Sequence, residues 1–347
     1  MKSITEGLAT IEVSEQSKIS KKLEVFYNPV MKVNRDITVS LLNAVPNKNM
    51  RIADIMSGTG VRSIRFAKEL KKGKVEKLFV NDMSSIDKAK KNFKKNKAKA
   101  EFSSLDANEF LVTGSGFDYI DIDPFGTPIE FLDNALKRIA RDGILGVTAT
   151  DTSALCGTYP SACVRKYWAT PCINGFMHES ALRILIRRVQ LIGAQHDKAC
   201  IPILSYAKDH YVRIFFKCIK GKEKVDEILK QHAFILFNPK TLAYEVSTSN
   251  TKKDHVAIGP LYVGSLSDKS LLKKMKTPSE EAQKLLKSLL EEKDIVGCYD
   301  IHDLCGLLRV ETPSFENLLK KTNGTRTHYN GYAIKTTKTV EEIKKLL

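Results

Sequence analysis

The residue of this sequence best suited to chemistry is Asp123, which directly follows an apolar stretch and precedes a proline. The segment Asp121 to Pro128 reads Asp-Ile-Asp-Pro-Phe-Gly-Thr-Pro, and its two prolines and glycine impose a stiff, extended turn. Such a turn would hold Asp123 and Phe125 at fixed positions, as group transfer requires. A carboxylate that accepts the N–H bonds of an exocyclic base amine exposes the nitrogen lone pair and stabilises charge as the group arrives. Phe125 offers a flat face on which the base that carries such an amine could stack.

A glycine-rich turn and an acidic residue stand at matched spacing upstream. Asp54-Ile-Met-Ser-Gly-Thr-Gly60 follows an apolar run, and glycines such as Gly58 let a ligand approach the backbone closely. Such turns also merely join strands to helices, so the motif alone is weak. The next apolar run ends in Asp82, 22 positions after Gly60, at a distance suited to binding ribose hydroxyls. The combination predicts a nucleoside site.

Two further features fit that prediction. The turn around Asp106 and Ala107 lies where an adenine amino group would bind, although Asp106 also suits the N-cap of the helix ANEFLV, and both roles are compatible. The loop from Asp121 to Pro128 resembles the D/N-P-P-Y/F loop of methyltransferases that act on exocyclic amines. Its alternative interpretation is a proline-rich turn without chemistry.

The elements that would position these residues alternate between strand and helix. From Met50 to Thr150, short apolar runs are separated by helical patterns, which predicts βαβ units, a parallel sheet and helices on both faces. Ligands bind beyond the carboxyl ends of such strands. The runs ACIPILSYA and HYVRIFFKCI predict an antiparallel hairpin that finishes the sheet. Beyond about Gly221 the sequence changes to lysine-rich helical segments mixed with short strands and turns. We therefore expect residues 1–237 to form one domain and residues 238–347 a smaller α+β domain that begins at about Asn238.

Many short motifs together are similar to one family, the tRNA guanine-26 N2-dimethyltransferases, here of archaeal type. The likeness covers nearly the whole chain and is far more specific than any one motif. Its segments are Glu6-Gly7, Val25 to Pro29 with Asn34-Arg35-Asp36, Ser57 to Arg62 and Arg65, Asp121 to Pro128, Leu155 to Pro160, and Thr325 to Tyr329.

The resemblance implies a Rossmann-like methyltransferase domain with a smaller C-terminal domain, and S-adenosylmethionine as the methyl donor. It implies N2 methylation of guanine 26 in tRNA, with dimethylguanine as product. The positions that match the family's donor contacts are Arg35, Arg62 or Arg65, Asp82, Asp106 and Ala107, to which the turn adds Gly58. Asp123 matches the catalytic acid in the loop with Pro124, and Phe26 and Phe125 match aromatics that flank the target base.

The residues themselves do not single out Arg35, whose alternative is a surface or helix-start arginine. Where some relatives carry cysteine pairs suited to zinc, the sequence around Ile258 to Leu261 and Cys298 has none, so we expect no structural metal. The seven cysteines contain no CxxC pair, and we expect them reduced and mostly buried. Trp168 and the pair His178-Glu179 are expected to have capping and core roles.

The formal net charge of +16 suits a polyanionic partner such as tRNA, although charge alone equally fits a lysine-rich surface. Seven lysines between Lys88 and Lys99 read as a solvated helix face, and the basic C-terminal region, with Tyr329 and Tyr332, suits contacts to folded RNA. A guanine in the tRNA core would have to turn outward to reach the cleft. No apolar run has the length of a signal peptide or a membrane span, so we expect a cytoplasmic protein, and no stable protein partner is implied.

Two other functions are compatible with parts of this pattern. A DNA or ribosomal-RNA amine methyltransferase would share the loop but not the C-terminal Thr325-Arg326-Thr327-His328 segment. A nucleic-acid-binding protein without catalysis would share the nucleoside fold, and the presence of both Asp82 and Asp123 argues against it.

Overall fold

The computed structural model describes residues 2–13 and 27–347. The chain divides into two compact units, and each unit combines three separate segments of sequence. The first unit consists of 1–148, 215–220 and 270–284, and the second of 149–214, 221–269 and 285–347. The domain boundary expected near Asn238 stays a prediction.

The first unit has the alternating order that the sequence predicts. From Met50 onward each helix follows a strand closely, as a parallel sheet with crossover helices requires. Its elements are β1 (Lys2–Glu6), β2 (Ala9–Val13), α1 (Lys32–Ala44), β3 (Met50–Asp54), α2 (Val61–Glu69), β4 (Val75–Asn81), α3 (Ile86–Lys95), β5 (Glu101–Ser103), α4 (Ala107–Thr113), β6 (Phe117–Ile122), α5 (Ile129–Arg138) and β7 (Ile139–Ala149).

The central sheet has the strand order β5-β4-β3-β6-β7 and continues with two further strands. The pairs β5-β4, β4-β3, β3-β6 and β6-β7 are parallel, so their carboxyl ends meet at one edge. The order along the sheet reverses between β3 and β6, where Asp54 is the register partner of Asp121. This switch point is where ligands bind in open parallel sheets.

A short N-terminal hairpin, which sequence reasoning did not predict, covers part of this unit. Strands β1 and β2 are antiparallel and are joined through Gly7, whose φ of 56° favours glycine. Ile11 packs into a buried apolar cluster with Ile64 and Phe93. The Asn92 Oδ1 atom accepts a hydrogen bond of 2.8 Å from the Glu12 amide, which fixes the hairpin to α3.

The second unit combines helices with two small antiparallel sheets, ordered β11-β10-β12 and β13-β15-β14. No helix among the described residues is both long enough and apolar enough to cross a bilayer. Its elements, and those shared with the first unit, are α6 (Thr152–Leu155), α7 (Pro160–Tyr167), α8 (Met177–Ala194), β8 (Lys198–Lys208), β9 (Tyr211–Lys220), α9 (Lys222–Leu229), β10 (His232–Phe237), β11 (Tyr244–Ser247), β12 (Val256–Tyr262), α10 (Lys269–Lys274), α11 (Glu280–Glu291), β13 (Tyr299–Asp300), α12 (Ile301–Leu308), α13 (Phe315–Thr322), β14 (Thr325–Arg326), β15 (Ala333–Lys335) and α14 (Val340–Lys344).

The predicted hairpin is present as β8 and β9, which complete the central sheet in the order β7-β9-β8. Only two residues, Asp209 and His210, separate the two strands, so neighbouring strands of this pair run antiparallel. Residues 215–220 of β9 belong to the first unit, and the rest of the hairpin belongs to the second.

Candidate active site

Three carboxylates lie near one guanidinium at the carboxyl edge of the sheet, and we call this group the strand-end cluster: Asp54, Arg62, Asp121 and Asp123. Arg62, in the first turn of α2, forms an ion pair with Asp123, and its Nη1 atom lies 3.3 Å from Asp121 Oδ2. Arg62 Nη1 also donates to Asn34 Oδ1 at 2.9 Å. The arginine is buried, so its charge acts with little screening by water.

Asp54 is an acid of the strand-end cluster whose pKa is strongly raised. Burial raises its pKa to about 7, the nearby charges of Asp121 and Asp123 act in the same direction, and Arg62 opposes them. Ser63 Oγ donates a hydrogen bond of 2.7 Å to Asp54 Oδ2. An acid of this kind is half protonated near neutral pH and can share a proton with its neighbours.

The loop after β6 presents an acid and an aromatic ring side by side. The Asp123 side chain is 19% exposed, Pro124 is buried, and Phe125 is 45% exposed. Gly126 has a φ of 91°, which L side chains rarely adopt, so the turn after Phe125 requires glycine. A buried proline and a glycine with positive φ fix the loop from both sides. Phe26, expected to flank the same base, lies outside the described residues.

Asp82 follows β4 and ties two loops together. Its Oδ2 atom accepts a hydrogen bond of 2.8 Å from the Gly58 amide, and its Oδ1 atom accepts from the amides of Ser84 and Ser85 at 3.0 and 2.7 Å. A carboxylate oxygen can accept two hydrogen bonds. Among the described residues, Gly58 alone donates to Oδ2 of Asp82, so a ribose hydroxyl can also donate there.

Asn81, which sequence reasoning missed, holds the neighbouring turns in place. Its Nδ2 atom donates to the carbonyls of Ile55 and Leu105 at 3.1 and 2.9 Å, and its Oδ1 atom accepts from the Leu105 amide at 3.1 Å. One buried amide side chain therefore joins the turns after β3 and β5. A polar residue one position before the acid that ends a strand was the available sequence signal.

Asp106 forms the N-cap of α4, one of the two roles that the sequence allows. Its Oδ1 atom accepts from the amides of Asn108 and Glu109 at 2.8 and 3.3 Å. Asp106 is exposed and Ala107 is buried. The capping role and a contact to a ligand at this edge are compatible, because the cap uses only one of the two oxygens.

Arg35 and Arg65 converge on Glu6 of the N-terminal hairpin. The Glu6 carboxylate accepts from Arg35 Nε at 2.6 Å and from Arg65 Nη1 at 2.9 Å. Burial acts to raise the Glu6 pKa, but the two arginines outweigh it and lower that pKa to about 2. Arg65 also pairs with Asp36 and Glu69 at 2.7 and 2.8 Å. Arg35 is therefore buried and ion-paired, and is not a surface residue.

The second unit contains another buried charged group, which we call the closed cluster: Glu179, Arg183, Glu292, His328, Tyr329 and Lys335. Glu179 accepts hydrogen bonds from four donors, Arg183 Nε at 2.8 Å, the Gly297 amide at 2.9 Å, Tyr329 Oη at 2.7 Å and Lys335 Nζ at 2.8 Å. Burial alone would raise the Glu179 pKa, but Lys335 and Arg183 lower it far below its usual value. All acceptor positions of this carboxylate are filled.

His328 belongs to the closed cluster in one defined tautomer. The Ala207 amide donates to His328 Nε2 at 3.1 Å, so that nitrogen carries no proton. The Nδ1 atom, 2.6 Å from Glu292 Oε2, is therefore the protonated nitrogen and the ring is neutral. Lys335 Nζ lies 3.3 Å from Glu292 Oε1, which balances the second carboxylate. The segment Thr327-His328-Tyr329 thus packs the interior of its unit.

Known proteins resemble this chain in sequence over nearly its whole length. A sequence model of the N2,N2-dimethylguanosine tRNA methyltransferase family matches residues 7–347. The chain is 38% identical to tRNA (guanine(26)-N(2)/guanine(27)-N(2))-dimethyltransferase of Aquifex aeolicus, over 99% of this chain and 95% of that protein. It is 35% identical to tRNA (guanine(26)-N(2))-dimethyltransferase of Methanobrevibacter smithii, over 100% and 97% of the two chains.

A solved structure agrees with the fold. The complex of Trm1 from Pyrococcus horikoshii with S-adenosyl-L-methionine superimposes with a TM-score of 0.90 at 35% identity, over 99% of both chains. The fold class predicted from the alternating strands and helices is confirmed. With a family match over nearly its whole length and relatives of this identity, the chain belongs to the N2,N2-dimethylguanosine tRNA methyltransferase family.

Proposed function

We propose that this chain transfers methyl groups from S-adenosylmethionine to N2 of guanine 26 in tRNA and gives N2,N2-dimethylguanine. The observation that carries the proposal is the strand-end cluster at the switch point of the sheet, with Asp123 held by Arg62 and an exposed Phe125 two residues further on. Family membership over residues 7–347 supports the same reaction.

The residues at the sheet edge fit a bound S-adenosylmethionine. The Oδ2 atom of Asp82 can accept from a ribose hydroxyl, and Gly58 and Ala107 add backbone where a nucleoside would lie. Asp106 keeps one carboxylate oxygen for an adenine amine, because the helix cap uses the other. When bound, the donor supplies an electrophilic methyl group on a sulfonium.

The family resemblance implies that Arg35 and one further arginine contact the methyl donor. Arg62 and Arg65 are the two candidates for that second arginine. Arg62 shares its charge with Asp123 at the strand ends, whereas Arg65 has Glu6, Asp36 and Glu69 as partners. This distribution supports Arg62 as the arginine next to the reacting groups. Arg35 and Arg65 would then act through Glu6, as supports for α1 and α2.

Asp123 would orient the target amine. The ion pair with Arg62 uses Oδ2 of Asp123, so Oδ1 can accept an N–H bond from guanine N2. That bond aligns the nitrogen lone pair and stabilises the positive charge that develops as the methyl is transferred. The amine loses one proton in each transfer, and a neighbouring carboxylate such as Asp54, whose pKa lies at about 7, is able to receive it. Pro124 fixes the loop, and Phe125 and Phe26 would flank the base.

The tRNA itself would be bound by electrostatics and shape. The net charge of +16 supports binding to phosphates, and we infer that residues 238–347 contribute to it. The seven free cysteines suit a reducing cytoplasm, where tRNA is modified. The sequence implies no stable protein partner.

Labelled-methyl transfer to tRNA, followed by mass spectrometry of the nucleosides, tests the proposal. We expect N2,N2-dimethylguanine to form in wild-type tRNA and to disappear when guanine 26 is replaced by adenine. If methylation persists in that variant tRNA at guanine 27, the methylated position must be reassigned from guanine 26 to guanine 27. Methylation of DNA or of ribosomal RNA in preference to tRNA, or tRNA binding with no methyl transfer, would contradict the proposal.

A further inference from the structure

Helix α7 of the second unit presents an exposed face that ends in the chain's single tryptophan. Val164 and Arg165 lie three to four residues before Trp168, so the three share one side of the helix. Val164 is 47% and Trp168 53% exposed, whereas Cys163 and Tyr167 on the opposite side are buried. Trp168 does cap the helix, as the sequence indicates, but its ring is not part of a core.

The backbone around Trp168 is held rigidly. Trp168 has a φ of 56°, a strained conformation for a bulky residue that persists only where surrounding contacts fix it. Its amide donates to the Val164 carbonyl at 3.1 Å, and Arg187 Nη1 donates to its carbonyl at 3.4 Å. Two residues later, Thr170 and Gly259 exchange backbone hydrogen bonds of 2.7 and 2.8 Å. The exposed ring is therefore presented from a fixed position.

One face of the ring carries a guanidinium. The Cζ atom of Arg188 lies 3.5 Å from the centroid of the Trp168 ring, in stacking contact. Since Arg188 covers one face and the side chain is still half exposed, much of the exposed area belongs to the other face. That geometry leaves room for a second planar group on the free face.

In the part of the chain that the structure describes, the charges beside the ring have no counterions of their own. Within residues 2–13 and 27–347, neither Arg187 nor Arg188 has a carboxylate within ion-pair distance, and the Nε atoms of both are buried without a hydrogen-bond partner. Burial lowers the pKa of both arginines, and the charge of Arg188 lowers that of Arg187 further. Adjacent uncompensated guanidinium groups favour an anionic ligand.

We propose that Val164, Arg165, Trp168, Arg187 and Arg188 form a docking platform for tRNA, on which one unstacked base lies against the free face of Trp168. A flat aromatic ring backed by Arg188 is suited to a base, and the exposed Arg165 and half-buried Arg187 beside it are suited to the phosphates on either side. This inference rests on tRNA being the substrate of the chain. The charge distribution selects an RNA over an apolar protein partner.

Because Trp168 is the only tryptophan, emission excited at wavelengths that the eleven tyrosines do not absorb reports on it alone in the wild-type protein. We expect saturating tRNA to quench this emission and to protect it from acrylamide. Heparin, a polyanion without bases, should do neither. Unchanged emission and acrylamide quenching while a filter assay shows tRNA bound would overturn the proposal, and so would equal quenching by heparin.

Substitutions at Trp168 and Arg187 separate the contribution of base stacking to tRNA binding from that of charge. Trp168→Ala should weaken tRNA binding and raise KM by about 5- to 100-fold, the range for one stacked base. It should leave donor binding and kcat at saturating tRNA unchanged, and Trp168→Phe should restore most of the affinity. The control Val112→Ala removes an exposed apolar side chain outside residues 238–347 and should change neither tRNA binding nor KM.

Arg187→Gln should lower the salt dependence of tRNA binding by about one unit of log-log slope. Equal tRNA affinity of wild type and Trp168→Ala would refute the platform alone, because methyl transfer to tRNA would continue. A wild-type chain that methylates no tRNA refutes the proposed function itself.

Discussion

The strand-end cluster and the closed cluster are both buried and both charged, yet their hydrogen bonding differs. In the closed cluster, Glu179 and Glu292 face Arg183 and Lys335, and Glu179 receives four donors. In the strand-end cluster, Asp54, Asp121 and Asp123 share the charge of Arg62. The first arrangement is balanced, and the second holds an acid with a pKa of about 7.

The difference shows that burial of charge does not by itself mark a functional site. A balanced network fixes a unique packing, and the filled carboxylate of Glu179 has no hydrogen bond to offer a ligand. In a cluster that contains an acid with a raised pKa and a partly exposed carboxylate, the charges are poorly balanced. A bound substrate can improve that balance. The Thr327-His328-Tyr329 segment illustrates this, because Tyr329, which the sequence suggested for contacts to RNA, donates its hydroxyl to Glu179 inside the closed cluster. Four experiments address the contrast.

Glu179→Gln should have the largest effect, and the effect should be on stability. The change strands the buried charges of Lys335 and Arg183, so we expect the free energy of unfolding to fall by about 3–5 kcal/mol. Chemical denaturation measures it. Glu316→Gln, which removes an exposed pair with Lys320, should cost less than about 0.5 kcal/mol. Equal losses for both variants would contradict the closed character of the cluster.

The pH dependence of stability should have opposite signs in the two clusters. The folded pKa of Asp54 is raised, so its contribution to stability is full below the unfolded pKa near 4 and is lost as pH rises through about 7. The loss amounts to about 4 kcal/mol at 1.36 kcal/mol per pKa unit. The folded pKa of Glu179 is lowered, so its contribution is lost as pH falls. Unfolding of Asp54→Asn between pH 4 and 7 measures the first, and an unaltered pH profile would contradict it.

Asp123→Ala should impair chemistry and leave the fold intact. Loss of the carboxylate that orients the amine should slow methyl transfer by about 10²-fold, close to 3 kcal/mol. Single-turnover transfer to saturating tRNA isolates this step. Asp123→Asn keeps one acceptor and should be intermediate, and the exposed control Asp133→Ala should match wild type. Near-normal rates in both Asp123 variants would reduce this residue to a loop cap.

Asp82→Ala should have the smallest effect. Removal of its charged hydrogen bonds to the ribose should weaken S-adenosylmethionine binding by about 1.5–3 kcal/mol. Isothermal calorimetry measures the change, with Asp87→Ala on the neighbouring exposed helix turn as control. Circular dichroism checks that the turn with Gly58 stays folded. An unchanged donor affinity would show that the nucleoside lies elsewhere.

The sequence predicted the features that depend on local order. The runs RIADIM, KLFVND and FDYIDID became β3, β4 and β6 within about two residues, because buried parallel strands are continuous and apolar. Asp82 and Asp123 could be selected because each directly follows a strand. The N-terminal hairpin was missed, since strands of five residues gain their stability from packing on α2 and α3, far along the chain.

Ion pairs between residues far apart in the chain could not be predicted from the sequence either. Glu6 holds Arg35 and Arg65 from 29 and 59 residues away, and no periodicity links them. The Arg62 pair with Asp123 depends on the direction in which the first turn of α2 faces. One signal was available: Asp54 and Asp121 each stand near the end of an apolar run, and neighbouring parallel strands end together.

The interleaved segments of the two units have a consequence for synthesis. The first unit needs residues 215–220 and 270–284, so it is incomplete until about four-fifths of the 347 residues have left the ribosome. The nascent chain must keep apolar strands from pairing wrongly during that interval. No single cut in the chain can separate the two units. A truncated gene encoding residues 1–148 alone would therefore lack strand β9 of its sheet.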